Sequence, residues 1–199
     1  MPSEITICNL ALSRLGAEPI SSFLEDNKNS RLSGYVYGPA RQWLLSTIYW
    51  TFARKVVDLN VLAAVHPYYL YQYQLPVDCL KPFYIDRRRV YRKWEVEGSR
   101  LVTDITPVTL HYVYDVVNSG LFTQGFANAL SWVVQADLAY PIVQDKVLAR
   151  EARAEARVQV IQAQELDAGI GNTYRDEQMD PNFDTFVTPS ASVFSGEEA

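Results

Sequence analysis

Tyr49-Trp50-Thr51-Phe52-Ala53 decides the reading of this 199-residue chain, because two bulky aromatics stand where one periodicity stops and another begins. Before it, Ile5, Leu10, Leu12, Leu15, Trp43, Leu44, Leu45 and Ile48 recur at helical offsets. After it, Val56-Val57-Asp58-Leu59 and Tyr69-Leu70-Tyr71-Gln72-Tyr73 run in short aromatic and β-branched pieces, the habit of strands. Trp43, Trp50 and Phe52 are therefore expected to form the joint and its core.

Working outward towards the N-terminus, Ser3 is the expected N-cap of a helix over residues 4–15, with Ile5, Cys8, Leu12 and Leu15 on one face and Gly16 as its stop. Residues 27–49 read as a second helix that Gly34 and Gly38-Pro39 bend or divide in two, since proline lacks the helical donor. On the other side of the joint, strands are expected over 55–59, 70–75, 80–85 and 108–114. A hairpin is expected where 93–96 and 100–103 flank Glu97-Gly98-Ser99. Pro76, Pro82 and Pro107 suit strand ends or edges.

Helix returns at Phe126–Tyr140, with Phe126, Leu130, Val133, Val134 and Leu138 on one stripe and Pro141 as a kink or restart. Residues 144–166 form a long Ala-, Glu-, Gln- and Arg-rich helix whose apolar face is thin: Ala152, Ala156, Val160 and Ala163. Such a helix buries little alone and calls for neighbours in an assembly. The last segment carries isolated aromatics, Tyr174, Phe183, Phe186 and Phe194, among Asp, Ser, Gly and Pro, the composition of an arm that orders on a partner. The expected class is α+β: a helical bundle from 1–54 and 116–168, an antiparallel β subdomain inserted over 55–115, and an extended arm over 169–199.

With 48% hydrophobic residues the chain fills one substantial core. A formal charge of -5 argues against gripping nucleic acid as the main task, which needs a basic face. Cys8 and Cys79 have no metal-ligand spacing, and no apolar run approaches the ~18 residues of a membrane span. No signal peptide, cofactor or metal is expected.

His66 and His111 lie far apart in sequence and read as structural, and neither a nucleophile elbow nor a phosphate-cradling loop occurs. The dense basic run contains Arg87, Arg88, Arg89, Arg92 and Lys93; it reads as a solvated turn or as a docking patch for an acidic partner, ahead of a contact with passing DNA phosphates. The strand Tyr68 to Gln74 is expected to alternate a wet and an apolar face. The 13 Tyr and 4 Trp exceed what a small core hides and point to extensive subunit contact.

The segment Ile7-Cys8-Asn9-Leu10-Ala11-Leu12-Ser13-Arg14-Leu15-Gly16-Ala17-Glu18-Pro19-Ile20, the closing Trp50-Thr51-Phe52-Ala53, the β insertion and the helical return together resemble the tail tubular protein A family, head-to-tail adaptors of short-tailed bacteriophages. The resemblance covers roughly residues 3–168. It implies a non-enzymatic virion protein at the head-tail interface, forming a ring, typically of twelve copies, between portal and tail nozzle, with genomic DNA passing through. Its partners would be the portal protein, the nozzle protein, tail fibres and itself. A head-completion connector of a long-tailed phage is the nearest alternative. A small enzyme that pairs Asp58 or Asp78 with His66 or His111 is the alternative from another class.

Overall fold

A computed structural model describes residues 2–85 and 93–170. Its class is α+β, with four α-helices and two small antiparallel sheets. The first helix, α1 (Glu4–Arg14), starts where the Ser3 hydroxyl accepts from the Thr6 amide at 3.1 Å, and the chain leaves it through Gly16 at φ +66°. Asn9 then fixes the departing loop: its amide nitrogen donates to the Ile20 carbonyl and its oxygen accepts from the Ile20 amide, both at 2.8 Å. Ile20 is thereby held in the core.

The second helix, α2 (Lys28–Thr47), is one continuous helix, so of the two outcomes left open at Gly38-Pro39, a bend or a division, the division does not occur. Pro39 removes the donor that would serve the Tyr35 carbonyl, but Tyr35 is 76% exposed, so water can take that carbonyl. Tyr37, Ala40, Leu44 and Leu45 are buried on the helix's inner side, and their packing outweighs the lost bond. Beyond a 3-10 turn at Thr51–Ala53 come β1 (Arg54–Leu59), β2 (Tyr71–Gln74), β3 (Cys79–Ile85), β4 (Trp94–Glu97), β5 (Arg100–Thr103) and β6 (Val108–Tyr114). These lie within a residue or two of the sequence expectation.

The strands form two three-stranded sheets, ordered β1-β6-β3 and β2-β5-β4. Pro82 sits in β3, an edge strand, where the register with β6 is irregular. The hairpin β4–β5 turns at Gly98, φ +59°. Between the sheets a small core collects Tyr73, Ile85, Leu101, Val108, Leu110 and Tyr112. The expected alternation of the tyrosine strand fails at one place: Gln72 and Tyr73 are adjacent and both buried. Gln72 is covered because its side chain donates to the Ala64 carbonyl and accepts from Arg100, while Val61 bridges to Tyr73.

The chain returns to the helical body through α3 (Gln124–Val143) and α4 (Lys146–Ile170). The Thr123 hydroxyl caps α3, which runs on through Pro141 and stops at Gln144, φ 60°. Asp145 opens α4, its carboxylate accepting from the Val147 and Leu148 amides. The main core lies among α1, α2 and α3 and includes Ile7, Leu12, Leu44, Trp50, Phe126, Leu130 and Leu138.

Candidate assembly interface

The joint is an aromatic cluster held at both ends by hydrogen bonds. Trp50 is fully buried, and its indole nitrogen donates to the Leu44 carbonyl at 2.8 Å. That carbonyl belongs to the last turn of α2, where no helical donor is left, so the indole caps the helix. Phe126 of α3 meets the Trp50 ring edge-on at 5.0 Å, the Phe52 ring at 5.0 Å and the Phe122 ring at 4.8 Å. Between the two aromatics, Thr51 donates twice to Asp167 of α4: its amide at 2.9 Å and its hydroxyl at 2.7 Å. Asp167 is only 3% exposed, so this carboxylate is matched by donors inside the protein.

The return crossing has its own brace. Arg41 of α2 pairs with Asp115 at 2.9 Å and donates to the Val116 carbonyl at 2.9 Å. Gln42 donates to the other Asp115 oxygen at 2.9 Å. Arg41, Asp115 and Asp167 escaped the sequence reading because single charged residues in helices and at strand ends look solvated. Only contacts between residues far apart in sequence, Arg41 with Asp115 and Thr51 with Asp167, reveal them.

Trp43 corrects an expectation. It is 53% exposed and stands outside the core, on the rim of a groove between α2, α3 and α4. Its position on α2 points it away from the side that carries Leu44 and Leu45. The groove has a volume of about 350 Å³; Ala40, Val133, Ala136, Ala156 and Val160 floor it, with Asp137, Arg153 and Arg157 at its edges. Desolvation by the walls raises the Asp137 carboxyl above its ordinary value, and Arg153 pulls it back.

The helix α4 has two apolar sides. On one, Ala149, Ala152, Ala156, Val160 and Ala163 are buried, chiefly against α3. The alanine face expected to seek neighbours in an assembly is thus used inside the chain, where small side chains let two helices approach closely. At ~3.6 residues per turn, Val147, Ala154, Val158 and Ile161 fall on the opposite side. All four are exposed, Val147 at 67% and Ile161 at 53%. This outer stripe was not singled out in the sequence, since Glu151 and Glu165 interrupt it.

Of the expected docking patch, Arg87, Arg88, Arg89 and Arg92 lie outside the described residues; Lys93 is exposed, its ammonium 5.3 Å from the Tyr69 ring centre. The expected arm residues Tyr174, Phe183, Phe186 and Phe194 also lie outside them. His66 meets Glu97 and neither of the aspartates considered above: its Nδ1 accepts from the Tyr68 and Tyr69 amides, which leaves the proton on Nε2, 3.1 Å from Glu97. Its role is to hold that turn. Asp58 takes the Thr109 hydroxyl, Asp78 takes Lys55 and the Tyr112 hydroxyl, and His111 stacks on Tyr84 at 4.2 Å.

The negative charge is unevenly placed. Of the chain's 18 basic and 23 acidic side chains, one arginine and six acids follow Ile170, which leaves 17 of each sign in residues 1–170. The body is therefore neutral, and the acidity read from the whole sequence belongs to the last 29 residues. Among the described residues no helix is long and apolar enough to cross a membrane. Comparison with models of known protein families and with curated proteins gave no match.

Proposed function

We propose that the chain is a structural head-to-tail adaptor of a phage virion, one subunit of a ring, dodecameric by the resemblance, that joins the portal to the tail nozzle and lets DNA pass. The observation that carries this reading is the outer stripe of α4, opposite the face already packed on α3. A closed cyclic ring needs each subunit to present two different faces, and a helix apolar on both sides suits a subunit that packs once inside itself and once on a neighbour. Covering the exposed parts of Val147, Val158 and Ile161 would contribute about 1 kcal/mol each, small per contact but repeated around a ring.

The order of elements supports the same reading: a helical body broken by a β insertion and resumed by two helices. Two three-stranded sheets make a sizeable insertion, which favours the short-tailed adaptor over the long-tailed connector. The body's neutrality is also compatible with a conduit past which DNA slides, because a protein that grips phosphates needs a basic face.

Native mass spectrometry of the full chain, alone and with its phage's portal rings, tests the proposal. A portal-dependent complex of ring size is expected, and it is lost when Val158→Glu and Ile161→Glu are introduced together. Because both side chains are exposed, the variant keeps its fold, checked by circular dichroism. A chain that stays monomeric beside portals, or a double variant that assembles normally, overturns the reading.

A further inference from the structure

The groove between α2, α3 and α4 offers apolar floor, an aromatic rim and cationic edges, and it is open. Arg153 and Arg157 lie one turn apart on α4, both exposed, facing a single acid, Asp137, so the groove carries an excess of positive charge. The chain's whole net negative charge lies in residues 171–199, and their densest mixture of acids and aromatics is Asp180-Pro181-Asn182-Phe183-Asp184-Thr185-Phe186. Acid beside phenylalanine is the side-chain complement of arginine beside an exposed tryptophan.

The reach is sufficient. From Arg157 to the end of α4 at Ile170 is 13 residues, or ~20 Å at ~1.5 Å per residue. The nine residues 171–179 span up to ~30 Å when extended, at ~3.3 Å per residue. The segment that follows can therefore fold back along α4 to its own groove.

We propose that residues 180–186 dock in this groove within the same chain, a phenylalanine against Trp43 and Asp184 paired with Arg153 and Arg157. The segment's own tether makes the contact intramolecular, so modest contacts suffice at a high effective concentration. In the free protein the docked segment would shield Trp43 from solvent. The contact does not depend on the adaptor reading, and a failure of either leaves the other standing.

The test uses the full-length chain. Hydroxyl-radical footprinting read by mass spectrometry reports the oxidation rate of Trp43 in the native chain and in a variant carrying Phe183→Ser, Asp184→Lys and Phe186→Ser. A several-fold rise in the variant, with Trp50 unchanged, is expected; equal rates overturn the proposal. A second arm introduces Asp184→Cys with Arg157→Cys and oxidises the protein at low concentration. A disulfide within monomers supports the contact as drawn. Absence of the disulfide, or its formation only between two chains, overturns it.

Discussion

Replacing Asp167 by Ala removes both acceptors that hold α4 to the joint, the partners of the Thr51 amide at 2.9 Å and the Thr51 hydroxyl at 2.7 Å. Hydrogen bonds to a charged group contribute about 1.5 to 3 kcal/mol each, and removing the carboxylate also relieves its own desolvation, so the expected loss is about 3 kcal/mol. With a urea slope of about 2.5 kcal/mol/M, the unfolding midpoint falls by about 1 M. Asp167→Asn is milder. Its oxygen can still face the Thr51 amide while its NH2 donates to the Thr51 hydroxyl, which can accept, so only the charge assistance is lost, about 1 kcal/mol.

A double-mutant cycle separates this contact from a general loosening of α4. Thr51→Val deletes one of the two bonds, and its effect added to that of Asp167→Ala should exceed the effect of the double variant by about 1 kcal/mol. If Asp167→Ala left the urea midpoint unmoved, or if the cycle showed no coupling, the clamp between joint and α4 would be a crossing of neighbours and not a brace. Hydrogen exchange of the Thr51 amide offers an independent reading, because loss of its acceptor frees a donor that the fold otherwise protects.

Trp50→Phe keeps a ring against Phe126 but strands the Leu44 carbonyl at the end of α2; thermal melts should show a loss of about 1 to 3 kcal/mol, and Trp50→Ala about 3 to 5 kcal/mol. Burial pushes the Cys8 thiol up to about 12 and the Cys79 thiol up to about 11, with Glu4 and Asp78 adding to the respective shifts. Neither should be alkylated appreciably at pH 8 until urea unfolds the chain, and fast labelling of Cys8 in the folded state would contradict its place in the core. The Asp137 carboxyl is raised, so the folded chain binds more protons than the unfolded one between the ordinary carboxylate range and the raised value. Stability therefore falls as pH rises through that window. Asp137→Asn should stabilise the protein at neutral pH, with the gain vanishing in acid, and a gain that persists in acid would point to a cause other than charge.

The element order was readable because the elements carry local signals: Ser3 and Gly16 around α1, the apolar stripe from Phe126 to Leu138 in α3, the glycine turn of β4–β5. Gly38-Pro39 leaves open whether α2 bends or divides; a proline costs one bond, and the large buried side chains of Tyr37, Leu44 and Leu45 hold the helix together. Trp43 reads as core because it stands with Leu44, Leu45 and Ile48 in the helical pattern before the joint, yet Leu44 and Leu45 take the inward positions and leave it on the other side. The thin face of α4 was rightly located, but nothing local to it indicates whether α3 or another copy covers the alanines. The covering is decided by the two-residue turn Gln144-Asp145, with Gln144 at φ 60°, which folds α4 back along α3.

The way the insertion is attached bears on what it can transmit. The chain leaves the helical body at Ala53–Arg54 and re-enters at Val113–Val116, and the two crossings are paired to each other, Arg54 opposite Val113 at the first rung of β1–β6. Tyr49 packs on Phe83 of β3, with ring centres 4.3 Å apart, so the first sheet also leans on the end of α2. Each crossing then carries a buried polar lock, Thr51 with Asp167 on the way out and Arg41 with Asp115 on the way back. A single-strand hinge would let the β subdomain swing. Two paired strands, each locked to a different helix, make bending require the loss of at least one buried charge contact, which is costly once its partner is left unpaired. A subunit that must pass load or register from one assembly to another benefits from such a joint, and breaking Arg41–Asp115 with Arg41→Met should loosen the insertion, seen as faster exchange in β1 and β6, while α1 and α3 keep their protection.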